Sequence, residues 1–251
     1  MTNIRVRVLP DFITQTTAAV SMASFVRERG IWLALVVVVM AVAEMAQSSI
    51  SYTFGFGVLR EPLGLDLGSF IRLGYYVRWG VMVFLVALWA LKRKQLLFRL
   101  LVLVNAANTV ILLAHTGFLT SELAGLSART VKELLLDVVL LGISNILIFS
   151  VWYWVIDPPG VDLTQGPDEP WAFLFPQRAA EIPNFAGWQP RYIDYLFVAF
   201  TTSFAFSPTD TLPLTRTAKM LMLLQAAISV VTLTGIAGSA INILAGGASG
   251  R

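Results

Sequence analysis

Hydrophobic residues run along this chain in long blocks separated by short polar breaks. A block of about 18 or more such residues is long enough to cross a bilayer as a helix. Four blocks fill the first part of the chain, at 31–48, 74–91, 96–118 and 133–156, and a fifth covers 217–244. The stretch 191–216 breaks the pattern. Its aromatic-rich apolar segment, 192–203, is too short to span. A polar turn with Ser207, Pro208, Thr209, Asp210 and Pro213 follows, and then the full-length block. A short helix, an irregular descent and a long helix predict a re-entrant loop. Irregular backbone is tolerated at membrane depth only where protein or a watery cavity surrounds it. The expected fold is all-α: a polytopic transmembrane bundle of five spans, with a re-entrant, pore-helix-like segment before the last helix.

The remaining segments divide the chain into four parts. Residues 1–30 carry Arg5, Arg7, Arg27 and Arg29, and Asp11 can cap a helix through Phe25. That stretch reads equally as an interfacial helix or as a frayed tail. Residues 31–156 hold four spans, with a glycine-rich loop at 49–72. Residues 157–190 are rich in proline, which precludes a long regular helix. Trp171, Phe173, Phe175, Phe185 and Trp188 predict an ordered cap over the bundle mouth, with aromatics at headgroup level. Residues 191–251 hold the short helix, the turn and the last span.

Composition narrows the chemistry. Hydrophobic residues make up 57% and charged residues 13%, against about 25% charged in a soluble domain. There is no cysteine and one histidine. That excludes a disulfide framework, a thiolate nucleophile and a cysteine- or histidine-rich metal site. The N-terminus is not a convincing signal peptide. Gly235-Ile236-Ala237-Gly238 lies inside an apolar helix and is no phosphate loop. No enzyme activity, cofactor, metal or nucleic-acid partner is expected. The expected partner is the lipid bilayer.

Polar residues inside the blocks are the candidate chemistry, because an ionisable group at membrane depth needs a partner, a watery cavity or a proton. Glu44 lies about one turn from the end of the first block, and Arg78 about one turn into the second. Their depths match, which predicts an ion pair. In the third block Asn105, Asn108 and His115 fall within about 80° of one another. In the fourth, Glu133, Asp137 and Ser144 fall within about 40°. The short connection between these blocks makes them antiparallel neighbours. It brings His115 to the level of Asp137 or Glu133, as a structural pair or a proton relay. Gln225, Ser229, Thr232 and Ser239 form one stripe on the last span, read either as a pore lining or as packing glue. Gly235 and Ser239 there make a small-xxx-small pair.

The stretch Asp194–Gln225 reads DYLF..FT...AFSPTDTLPL.R.AK.LM..Q. It resembles a family of uncharacterised bacterial membrane proteins that carries a potassium-channel-like pore loop and inner helix. Thr201-Thr202 sits where potassium channels carry the threonines ahead of the filter. Asp210 to Arg216 resembles their entry into the inner helix. The likeness covers roughly the last third of the chain. It implies a multi-pass protein of the bacterial inner membrane and a symmetric homo-oligomer, a tetramer on the channel pattern. Thr201, Thr202, Ser203, Phe204, Phe206, Ser207 and Asp210 become the pore-loop candidates. Anchored on Thr201-Thr202, however, the filter glycines fall on Phe204 and Phe206. Anchored on Asp210, the filter falls on 205–209, without glycine and with Pro208 inside it. A potassium filter turns successive carbonyls inward, which glycine permits and bulky residues do not. Phe204 and Phe206 are expected to pack near Leu223 or Leu224, and Asp210 to cap the turn that follows.

Lys92-Arg93-Lys94, with Arg99 close behind, is the densest positive cluster and sits in a short loop, which places that loop and the N-terminus in the cytoplasm. Five spans then put the cap and the re-entrant loop on the cytoplasmic side. In potassium channels the loop enters from outside.

Three functions compete. One is an oligomeric pore without the usual potassium filter. The second is a non-conducting structural or assembly protein, and the third a proton-coupled transporter using Glu44, Asp137 and His115.

Overall fold

The computed structural model describes residues 30–50, 67–91, 93–125, 131–157, 171–179, 185, 187–205 and 210–248. The expected helix over 11–25 and the turn residues Phe206 and Ser207 lie outside the described residues, as do the side chains of Glu133 and Ser239. The described residues form seven helices and one short ribbon. The elements are α1 Gly30–Ser49, α2 Leu67–Ala90, α3 Lys94–Gly125, α4 Val131–Ile156, β1 Phe173–Leu174, α5 Pro176–Ala179, α6 Tyr192–Ala205, β2 Leu212–Pro213 and α7 Arg216–Ala248.

Several helices outrun their apolar blocks. The second begins at Leu67 rather than 74, and the third continues to Gly125 rather than 118. Hydropathy stops at Arg72 and at the Thr120-Ser121-Glu122 run. Helix propensity does not, since Arg and Glu are good helix formers. At 1.5 Å per residue, the 32 residues of α3 reach about 48 Å. That exceeds a hydrocarbon core of about 30 Å, so the ends of α3 project beyond it.

Three helices are long and apolar enough to cross a membrane, over Gln95–Thr120, Leu135–Ile156 and Arg216–Gly235. α1 and α2 carry shorter apolar stretches, Leu33–Ser49 and Tyr76–Ala90. The distribution of polarity is that of a membrane protein. Val38, Val42, Met45, Val83, Phe84, Leu103 and Val110 point outward, while Glu44, Gln47, Asn105, Asn108, Asp137 and Asn145 are buried. A soluble fold does the reverse.

α4 is the central helix and packs against α1, α3, α6 and α7. Asn105 bonds the carbonyl of Ile148, and His115 and Leu119 face Asp137 and Leu141, so α3 and α4 are antiparallel. Asn145 bonds Ser229, and Gly235 lies against Val138, so α4 and α7 are antiparallel too. The start of α3, the end of α4 and the start of α7 therefore share one end of the bundle, and Arg93 lies at that end.

The cap joins this same end. β1 pairs antiparallel with β2, Phe173 opposite Pro213 and Leu174 opposite Leu212. Leu214 N–H extends the ribbon to the Ala172 carbonyl at 2.9 Å. The ribbon delays the last helix. With 212–213 extended, the helix starts at Arg216, and Thr215 caps it by accepting the Ala218 N–H. Asp210 lies upstream of the ribbon and does not fill that position. At the start of α6, Asp194 reaches back to the Arg191 N–H at 2.6 Å, which is half of a capping box. The cap aromatics are not all at headgroup level. Phe173 and Phe175 are buried, Phe173 against Tyr153 at 5.1 Å and Phe175 against Tyr195 at 5.6 Å. Phe185 is exposed.

Gly235 permits the closest approach of α7. A Cβ built there would lie 3.0 Å from a Val138 methyl and 3.4 Å from a Leu119 methyl. Gly235→Val should destabilise the bundle by about 1–3 kcal/mol through overpacking. At Gly80 nothing lies within 4 Å of the same position, so Gly80→Ala should be neutral or slightly stabilising. Thermal unfolding of the two variants in one detergent compares them directly.

Candidate functional site

Four ionisable side chains gather on the α1–α4 side of the bundle. Glu44 of α1 and Arg78 of α2 form an ion pair, Nε to Oε1 at 2.9 Å, with the carboxylate buried. The contact is close, but its N–H direction is not that of an aligned hydrogen bond. Depth matching along two antiparallel helices was enough to predict this pair. His115 of α3 and Asp137 of α4 line one small cleft with Ile50, Leu119 and Leu141. Both residues thus lie at one level of the bundle, as the spacing predicts. Asp137 is buried. The His115 Nδ1 is enclosed and meets no hydrogen-bond partner among the described residues.

A row of buried amides and hydroxyls continues from there along the inner faces of α1, α3 and α4. Gln47 donates to the Asn108 carbonyl at 3.0 Å, and Asn105 to the Ile148 carbonyl at 3.2 Å. Each of these bonds uses one half of an amide. The Oδ1 of Asn105, the Nδ2 of Asn108 and the Ser144 hydroxyl are buried without a partner among the described residues.

The third group joins α4, α6 and α7. Gln225 of α7 is fully buried. Its Nε2 donates to the Ala199 carbonyl and to the Ser203 hydroxyl, both at 2.8 Å. Its Oε1 accepts from the Tyr153 hydroxyl. One turn on, Ser229 accepts from Asn145 at 2.9 Å and donates to the Gln225 carbonyl at 3.0 Å. Thr232, a further turn along, packs its methyl 3.4 Å from the Cβ position of Gly142. The stripe of Gln225, Ser229 and Thr232 therefore faces α4 of its own chain. A pore lining on an oligomer axis would instead need this stripe on the outside of the protomer.

The pore-loop candidates divide. Thr202 is buried beside the Tyr153 hydroxyl, and Ser203 bonds Gln225. Thr201 turns its hydroxyl back to its own helix, at the carbonyls of Phe197 and Val198. Phe204 is 65% exposed and Leu223 63% exposed. Phe204, expected near Leu223 or Leu224, stacks on Phe200 of its own helix at 4.7 Å. A residue four positions back is the nearest partner for a side chain on the outer face of a helix. Asp210 is exposed in the turn before β2.

A fourth centre was not anticipated. Asp157, directly after α4, is fully buried. One carboxylate oxygen accepts the Ala172 and Phe173 N–H groups at 2.9 and 3.3 Å. The other accepts Arg178 at 3.0 Å and the Tyr195 hydroxyl at 2.6 Å. Arg178 is buried in turn, donates to the Phe173 carbonyl and lies over the Trp171 ring at 4.7 Å. The available signal was an acid at the end of an apolar helix, before a proline pair, with an arginine and tyrosines downstream. Sequence spacing alone could not pair them.

Two predictions follow from these pairs. Glu44→Gln or Arg78→Gln should each cost about 3–5 kcal/mol, because the remaining charge is stranded. Glu44→Leu with Arg78→Leu should recover much of that loss, read as unfolding in detergent. Asp157→Asn should uncouple the cap, with limited proteolysis cutting near residues 171–179 at least tenfold faster than in the parent protein. Equal cleavage rates would mean the cap is held by its aromatics alone.

No protein-family profile, curated protein or solved structure matches the chain.

Proposed function

We propose that this chain is a multi-pass membrane protein that moves protons or small cations along a polar route inside its own bundle, and that α6 is a re-entrant segment closing the cap end of that route. On this reading α1 and α2 cross the bilayer with the three longer helices. The chain does not use a potassium filter.

The observation that carries the reading is the row of buried, half-satisfied polar groups on the inner faces of the helices. An unpaired polar atom in an apolar setting costs about 1–3 kcal/mol. Intramembrane ionisable residues mark ion and proton pathways by default. Here Glu44, His115 and Asp137 share the interior with Asn105, Asn108 and Ser144, three side chains with atoms that have no partner among the described residues. The inward stripe on α7 supports an intrachain route over an axial pore in a ring of copies.

The re-entrant reading of α6 rests on both of its ends. Tyr195, in its first turn, bonds Asp157, and the same carboxylate holds Phe173, which pairs with Pro213. Ser203, near its last residue, bonds Gln225, nine residues into α7 and about 13 Å along it. Entry and exit at one end, with a deep middle, support a segment that dips and returns. The positive-inside rule, applied to the Lys92–Lys94 loop, assigns that end to the cytoplasm.

A second reading, a non-conducting scaffold, draws on the closure around Gln225, whose amide is bonded at both ends.

Proteoliposomes carrying a pH-sensitive dye separate the two. The route predicts dissipation of an imposed proton gradient, with no preference for potassium over sodium as the counter-ion. Ser144→Ala is the diagnostic variant, because its hydroxyl has no partner to lose among the described residues. Stability should hold or rise, while flux falls several-fold. Flux unchanged by Ser144→Ala, or a strongly potassium-selective current, would sink the interior route. An inert parent protein would favour the scaffold.

A further inference from the structure

We propose that the Arg93 end of the bundle binds anionic phospholipid, with headgroups held by Arg99 of α3 and by Arg216 and Lys219 of α7, and acyl chains laid along the apolar faces below them. The proposal rests on the multi-pass placement of the chain and is independent of the interior route.

Packing sets the level of these cations. α3 and α7 both run antiparallel to α4, so they are parallel to each other. Leu119 of α3 meets the Cβ position of Gly235 on α7. Counted back from that contact, Arg99 and Arg216 fall at nearly one height, each about 30 Å away along its helix. That distance is about the depth of a hydrocarbon core. Arg216 also begins the apolar stretch Arg216–Gly235, and Arg99 lies one turn inside the stretch Gln95–Thr120. Both cations therefore reach the headgroup level at the Arg93 end, with long side chains free to extend toward water.

The two helices carry the same pattern on an outward face. On α7, Arg216, Met220, Leu223 and Val230 follow one another at helical spacing, with Lys219 beside them, and all five are exposed. On α3, Arg99, Leu103 and Val110 do the same. A cation above an apolar column has the shape of a phospholipid, charged at one end with hydrocarbon below. A soluble anion has no use for the column, and an apolar partner helix none for the cations.

Charge selects the class of lipid. Arg93, Arg99, Arg216 and Lys219 are exposed, and the ion pairs among the described residues, Glu44 with Arg78 and Asp157 with Arg178, use none of them. The described acids at this end are Asp157, buried in its pair, Asp194, which accepts the Arg191 N–H, and Asp210, exposed in the turn before β2. The described surface here is thus positive. A zwitterionic headgroup brings its own cation to its phosphate. A headgroup of net negative charge does not, and each Lys or Arg near the surface strengthens its binding about fivefold.

The test uses the full chain in a mild detergent. Phosphatidylglycerol or phosphatidylcholine of the same acyl chains is added, and retained lipid is counted by native mass spectrometry. The strips predict several-fold more phosphatidylglycerol than phosphatidylcholine retained, with the preference falling as salt rises. Arg99→Gln should weaken it about fivefold, and Arg216→Gln combined with Lys219→Gln by more. Arg216→Lys should keep most of it. Thermal unfolding of each variant confirms that it is folded. Equal retention of the two lipids, or a preference that the glutamine variants leave in place, overturns the site. Displacement of phosphatidylglycerol by an equal concentration of inorganic phosphate would show a plain anion site and overturn the lipid assignment. Failure of the membrane placement reads differently: the chain would then stay in solution once detergent is removed, whatever lipid it had retained.

Discussion

The buried carboxylate of Asp157 is the constraint on which the far end of this bundle depends. A charge taken out of water costs several kcal/mol unless nearly every lone pair is used. Asp157 meets that condition by drawing groups from three later parts of the chain: two backbone N–H groups before and within β1, the Arg178 guanidinium, and the Tyr195 hydroxyl. Satisfying one carboxylate therefore fixes the end of α4, the cap and the entry of α6 in a single arrangement. β1 then fixes β2, and β2 fixes where α7 can begin. Tyr195 fixes the height of α6, which brings Ala199 and Ser203 to Gln225.

The two polar systems in this protein differ in kind. The Asp157 carboxylate and the Gln225 side-chain amide are each bonded at both ends, and such networks define geometry. Between Glu44, His115 and Ser144 the bonding is incomplete, and several atoms are enclosed without partners among the described residues. Packing glue needs only the first kind. Holding α3 against α4 is already done by Asn105 to Ile148 and by Trp152 to Thr109. The Ser144 hydroxyl adds nothing to that grip.

Much of the frame was legible in the sequence because a bilayer imposes simple rules. Apolar length located the helices. Depth along antiparallel neighbours paired Glu44 with Arg78 and set His115 opposite Asp137. The short helix came out within two residues of its observed end, Ala205. Other features were hidden for identifiable reasons. Periodicity showed that Gln225, Ser229 and Thr232 share a face, but a periodic face does not name its neighbour, so glue and pore lining read alike. Asp157 looked like a loop residue because its partners lie 15 to 38 positions away. Phe173 and Phe175 looked interfacial because aromatics in an ordered cap over a bundle mouth suit the headgroup level, yet two extended residues suffice to pair with β2 and carry both rings inward.

The threonines that resemble those ahead of a channel filter make only local contacts in this bundle. A filter needs carbonyls directed at an ion, and the residues ahead of it must hold that strained backbone in place. Here Thr201 spends its hydroxyl on carbonyls of its own helix. Thr202 turns inward to Tyr153, and Ser203 is held by Gln225. All three act within one chain. Phe200 and Phe204 stack on the outer face, where an apolar surroundings-facing stripe suits lipid or another protein surface better than a hydrated ion. A segment anchored this way is positioned from the inside of its own bundle.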